Sequence, residues 1–408
     1  MRRVLGTISW LACAVGLGGC LVYDPQLVRR GDTGPDGGGV CAGRRPPGRP
    51  SIPDGPDIDE VAFGLRDVFL DQGADWSSIG YDLDGLCSVS PDFATECTRG
   101  GPPQRDGDEG IDNVFGDSLY PIVEASVPGL EAMAVAAQDE GRGMPVLRIR
   151  HWNGTRNDPQ VEVAIMQSVF GTSAEGPDGG PPEVRIMGPL DYTLADGSPV
   201  PLPAWDGEDY LWARTDAFLA GDPDEPFIVD DAAYVVDGEI VSRLPDQVDI
   251  VFPTDDIGVL VRLTEAVATG TLSEDGLELN PVVVAGRWRV VDLLSTAENI
   301  GICRGDSRYE LLMTQLGRIA DVRSMPPRPG DPPSPCDAIS IGVRFRGSRA
   351  RVVPTPTPGQ PLADLCSAAR ADAGTPDAGP SDAGPSDAGP AEPDAPDTAS
   401  PDAGADGG

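Results

Sequence analysis

The sequence predicts a mainly β domain over residues 58–366: a β-sandwich of jelly-roll type with a few peripheral helices. Three observations carry this. Several segments alternate apolar and polar residues at the strand period. One Asp-Gly pair sits between two apolar runs, the strongest short-range hairpin signal. The chain holds 52 Gly and 43 Pro in 408 residues, enough to end many short strands in turns. Short strands with frequent turns favour a sandwich over an α/β layer fold.

The elements follow along the chain. Residues 118–139 carry apolar positions at helical spacing, and Pro121 and Pro128 demand a late start or a kink. Residues Val146–Trp152 alternate as a half-buried strand does, and so do Val161–Met166. Asn153–Pro159 is the turn between them, rich in Asn, Gly and Asp. Tyr234–Val241 reads as a hairpin about Asp237-Gly238. Val259–Leu263 and Ile339–Phe345 add two strands. Residues 306–320 form a helix capped by Asp306 or Ser307, with Leu311, Leu312, Leu316 and Ile319 along one side.

The flanks have another character. Residues 1–19 hold Met1-Arg2-Arg3 and then an apolar stretch from Val4 to Leu17. That stretch falls short of the ~20 residues a membrane span needs. A basic start, an apolar middle and small residues before a cut describe a secretory signal. Residues 20–57 are rich in Gly, Pro, Asp and Arg and read as a flexible linker. Residues 367–408 repeat Asp, Ala, Gly and Pro with hardly any side chain to bury, and are expected to be disordered.

The run Leu17-Gly18-Gly19-Cys20 resembles the lipobox of bacterial lipoproteins. The resemblance implies that Cys20 takes a diacylglyceryl group, that the chain is cut before it, and that the new N-terminus is acylated, as with palmitate. Several acyl chains on one residue anchor stably. Leu21 stands where Asp would retain such a protein in the inner membrane, so the outer membrane is expected, with the domain periplasmic or surface-exposed.

Composition removes several classes of chemistry. The net charge is −36, which repels phosphate backbones and argues against nucleic acid as a partner. The chain has no Lys, so Schiff-base catalysis is unavailable. His151 is the only His, which excludes a multi-histidine metal site. Apart from Cys13 and Cys20, six Cys remain: Cys41, Cys87, Cys97, Cys303, Cys336 and Cys366. An even number in an exported chain reads as three disulfides. A nested set is expected, with Cys87–Cys97 and Cys303–Cys336 as local loops and Cys41–Cys366 clasping the ends.

Two constellations could carry chemistry. Asp82, Asp84, Asp106, Asp108 and Asp112 place oxygen ligands at alternate positions, which suits Ca²⁺. The spacing is not an EF-hand, because Ile111 stands where that loop needs Gly. Phe115-Gly116-Asp117-Ser118-Leu119 resembles the nucleophile block of GDSL esterases. The resemblance implies Ser118 as nucleophile, with Asn157 or Gly154 at an oxyanion hole. The family's late Asp-x-x-His is absent, since His151 lies in Arg148-Ile149-Arg150-His151. Ser118 then lacks its base and reads as the cap of the following helix. Trp152, Trp205, Trp212 and Trp288 could stack on sugars, but tryptophans in strands are expected in the core.

The function expected is therefore a lipid-anchored, non-enzymatic binding or structural module of the cell envelope. Its partners would be the membrane and a polysaccharide or another envelope protein. A Ca²⁺-assisted carbohydrate-binding module or glycan hydrolase is the first alternative, and the esterase the second.

Overall fold

A computed structural model describes residues 43–58, 60–88, 95–102, 104–188, 191–245, 247–253, 258–355 and 365–366. The expected signal peptide, Cys20, Cys41 and the tail from residue 367 lie outside the described residues.

Strands dominate, as expected. They are β1 (Val61–Phe69), β2 (Pro145–Arg150), β3 (Asp158–Thr172), β4 (Val184–Gly188), β5 (Asp191–Leu194), β6 (Tyr210–Ala213), β7 (Ile228–Val236), β8 (Glu239–Arg243), β9 (Val248–Pro253), β10 (Gly258–Leu272), β11 (Glu278–Arg289) and β12 (Ala338–Pro354). The main helices are α1 (Tyr120–Ser126), α2 (Leu130–Asp139), α3 (Val290–Asn299) and α4 (Ser307–Ile319).

The architecture corrects the sandwich. Strands β1, β2, β3, β7, β8, β10, β11 and β12 each pair antiparallel with the next, and β12 returns to pair with β1, Ala62 opposite Ala350. This is a closed eight-stranded up-and-down barrel, and closure removes the exposed edges a sandwich keeps. A sandwich and a barrel demand the same alternation. The pairing of the first strand with the last distinguishes them, and that pairing joins residues almost 300 positions apart.

Antiparallel alternation sends the connections to two ends. Residues 151–157, Asp237-Gly238 and residues 273–277 turn tightly at one end. The β1–β2, β3–β7, β8–β10 and β11–β12 connections leave the other, and they carry every helix and the strands β4, β5, β6 and β9. The Asp237-Gly238 hairpin forms as expected, with φ of 53° and 87°.

Inside, Phe63, Ile149, Val161, Val235, Ile240 and Leu279 are fully buried toward the tight-turn end. At the other end Leu130 and Ala134 of α2, Leu293 and Leu294 of α3, and Leu316 of α4 join the same core. The expected kink in residues 118–139 falls between α1 and α2, where Gly129 adopts φ 79°. Asp306 caps α4 by accepting from the Arg308 amide at 2.9 Å. The C-terminal ends of β3 and β12 take β6 between them, and Leu211 and Ala213 cover Ala62, Val146 and Met166 on the outer face.

Residues 43–57, assigned above to the flexible linker, run along the barrel. Their anchors are polar, so hydropathy does not reveal them. Arg44 donates its amide to Glu109 O at 2.7 Å, Tyr234 Oη donates to Pro47 O at 2.6 Å, and Arg49 lies over the Tyr234 ring.

The disulfides also differ from the nested set. Cys97 joins Cys336, and Cys303 joins Cys366. Cys87 is disulfide-bonded as well, and Cys97 is not its partner. Short sequence loops do not decide the pairing. A β-bridge between Thr98 and Pro335 brings Cys97 and Cys336 side by side, and the α3–α4 turn presents Cys303 to Cys366.

Candidate functional site

The β1–β2 connection is the longest, and part of it forms a cover on the outer face of the barrel. Tyr81 packs on Val267, Val283 and Ala285, and its hydroxyl shares a 2.8 Å hydrogen bond with Thr269. Asn113 pins the cover. Its Nδ2 donates to Gln72 Oε1, Trp76 O and Ile79 O, and its Oδ1 accepts from the Gly342 amide of β12 at 3.0 Å. Only glycine fits at 342, because a Cβ there would stand 2.3 Å from Ile79 O.

The cover gathers acidic side chains. Carboxylate oxygens of Asp82, Asp84 and Asp112 lie within 4.8 Å of one another. Local turns hold Asp82 and Asp84, and the same loop's amides hold Asp112 from a distant part of the connection. Asp82 accepts from the Gly85 amide at 2.7 Å and Asp84 from the Leu86 amide at 2.8 Å, while Asp112 accepts from the Leu83 and Asp84 amides at 2.7 and 3.2 Å. Asp106 stands beside them and accepts from the Ser88 amide. Asp108 does not join the group; it is exposed and accepts from Ser77 Oγ at 3.1 Å. Sequence reading missed Asp321, a buried neighbour that accepts from the Ser340 amide and hydroxyl at 2.9 and 2.6 Å. It sits over 200 residues away in sequence, so no local spacing announces it.

Burial and mutual repulsion push these groups up. Burial, then the charges of Glu96, Asp106 and Asp82, raises Asp84 to about 8. Burial raises Asp106 and Asp321 to about 6 each. Burial, with Asp84, Asp321 and Asp106 nearby, lifts Asp112 well above the usual carboxylate range. Asp82 is raised by burial too, against the pull of Arg45 at 3.7 Å. Arg287 of β11 is the main buried cation. Only 1% of its side chain is exposed, and it pairs with Glu96 at 2.5 Å and donates to Leu83 O at 2.6 Å. Glu96 occupies that guanidinium, which leaves the aspartates under-compensated.

Asp82, Asp84 and Asp112 fit a hard cation. Ca²⁺ takes six to eight oxygens at about 2.3–2.6 Å, so oxygens on opposite sides lie about 5 Å apart.

A second feature lies inside the barrel, under the helices. An apolar chamber of about 90 Å³ has Leu119, Leu263, Val284, Ile341 and Val343 among its walls. Trp288 lines it as well.

The esterase constellation does not assemble. Ser118 sits in a π-helical turn of the β1–β2 connection and donates to Asp117 Oδ2 at 2.7 Å. His151, Gly154 and Asn157 lie in the β2–β3 turn at the opposite end, and His151 Nδ1 is 3.0 Å from Asp57. The tryptophans share no face. Trp212 and Trp288 are buried in different layers, while Trp152 and Trp205 are half-buried.

No helix among the described residues is long and apolar enough to cross a membrane. Comparison with protein families, curated proteins and solved structures gives no match.

Proposed function

We propose that this chain is an exported, lipid-anchored, non-enzymatic binding module of the outer membrane, with Ca²⁺ as the resident ion of its cover. The convergence of Asp82, Asp84 and Asp112 within 4.8 Å carries the reading. Bound there, Ca²⁺ neutralises the aspartates and ties two parts of the cover together. Leu17-Gly18-Gly19-Cys20 supports the anchor, and the separation of Ser118 from His151 argues against the esterase alternative. The barrel is the rigid scaffold, and the long connections are where a partner would be met.

Thermal melting tests the ion. Millimolar Ca²⁺ should raise the melting temperature with the logarithm of its excess over Kd, and Mg²⁺ should raise it less. Asp84→Asn with Asp112→Asn should abolish the increment, while Asp108→Asn should leave it. Equal melting in Ca²⁺ and in chelator would refute the site.

A further inference from the structure

Cys87 is half-buried on the cover and is disulfide-bonded. Four other cysteines are already paired, Cys97 with Cys336 and Cys303 with Cys366. That leaves Cys13, Cys20 and Cys41 within the chain. A disulfide needs Cα atoms about 4.4–6.8 Å apart, so reach decides among them.

The start of the described chain lies against the loop that carries Cys87. Arg44 O accepts from the Asp82 amide at 2.8 Å, and the Arg45 guanidinium stands 3.7 Å from the Asp82 carboxylate. Gly43 meets the same side chain so closely that a Cβ on it would stand 1.7 Å from Asp82 Oδ2. The loop then turns back toward this strap. The Gly85 amide donates to Asp82 Oδ1 and the Leu86 amide to Asp84 Oδ1. A Cβ on Gly85 would stand 3.1 Å from Arg45 Nη2, and Cys87 follows Gly85 by two residues. Cys41 precedes Gly43 by two residues, and two residues span at most about 7 Å. Cys13 and Cys20 stand much earlier, in the apolar stretch and the lipobox. Lipid on Cys20 and loss of Cys13 with the signal would leave neither thiol free.

We infer that Cys41 is the partner of Cys87, and that this cross-link fastens the segment ahead of the barrel to the edge of the aspartate site. Two thiols form one S–S bond. Their two protons and two electrons pass to a disulfide oxidant, which leaves as a dithiol. The link holds the loop whose Leu83 and Asp84 amides donate to Asp112, so a pull on the segment ahead of the barrel is delivered to the site. The salt bridge from Arg45, whose side chain is 42% exposed, would not do this alone. The inference goes beyond the binding-module reading and stands with or without Ca²⁺.

The test starts with the unaltered oxidised chain, its free thiols alkylated, digested on the N-terminal side of Asp. Fragments Asp36–Pro53 and Asp84–Pro91 should appear as one linked species that separates on reduction. The same digest should link Asp92–Arg105 to Asp331–Cys336, which serves as the control. Cys87 found alkylated, linked to a second copy, or linked to any other cysteine overturns the pairing. In Cys41→Ser with Cys87→Ser, hydrogen exchange at the Leu83 and Asp84 amides should quicken by about tenfold or more, and by a larger factor than at Val284 and Ile341 in the barrel. Equal factors at the two places overturn the claim that the link serves the site. The mapping uses the unaltered chain, so it decides the pairing even if the variant folds poorly. Absent Ca²⁺ stabilisation with the linked fragments present overturns the proposed ion and leaves this inference standing.

Discussion

The two ends of the barrel solve different problems with the same strands. At the tight-turn end, Phe63, Ile149, Val161, Val235 and Leu279 fill the interior completely, and loops as short as Asp237-Gly238 connect the strands. At the other end the interior opens into a chamber, helices replace turns, and the connecting chain wraps outward to bury a set of aspartates. The first end is filled by apolar side chains. The second tolerates an indole N–H with no acceptor among the described residues and carboxylates far from their ordinary pKa. Such departures from local rules collect where a fold does its work, because stability gained elsewhere offsets them.

The sharpest way to break this contrast is at Arg287. It is the buried counter-charge of the cover, although it projects from a barrel strand. Arg287→Ala leaves Glu96 buried without its counter-charge, held only by the Arg323 amide, beside an already acidic cluster. The expected loss is about 3–5 kcal/mol in urea unfolding, more than any surface arginine would show. A loss under about 1 kcal/mol would mean that solvent or a cation already screens the cluster.

A paired truncation compares the interiors directly. Leu279→Ala at the filled end creates a cavity and should cost about 2–5 kcal/mol. Leu312→Ala adjoins existing space and a half-buried rim, and should cost about 1–2 kcal/mol. Equal shifts in the urea midpoint would show that the chamber wall is packed as tightly as the filled end.

The smallest effect is a pH drift. Asp84, Asp106 and Asp321 have raised folded pKa values, so the protonated forms favour the folded state. Their contribution is complete below the unfolded value near 4 and is lost as pH rises through about 6 and then about 8. In chelator, the melting temperature should fall by a few degrees between pH 6 and 8. Ca²⁺ should remove the fall, since it competes with protons for the same oxygens. A flat profile in chelator would place these carboxylates in water.

Much of the fold was legible in local pattern. The Asp237-Gly238 hairpin, the strands around Val163, Val261 and Ile341, and the Asp306 cap all follow from rules that act within a few residues. Strand β11 was not, because Pro281 and Gly286 interrupt its pattern. Pro281 is tolerated at a register shift between Leu279 and Val282, where the ladder does not need its missing N–H. The acidic site was legible in part. Asp82, Asp84 and Asp112 are near in sequence and meet, whereas Asp108 turns to Ser77 and Asp321 arrives from a distant segment.

Residue type and period thus settled the local matters: strand against helix, the turns, and the chemistry that is unavailable without Lys or a second His. Closure into a barrel, the partners Cys97–Cys336 and Cys303–Cys366, the laying of residues 43–57 on the barrel, and the placing of Ser118 and His151 at opposite ends belong to long-range pairing. The physical reason is that alternation records only that one side of a strand is buried. Which distant strand buries it depends on contacts that no window of sequence contains.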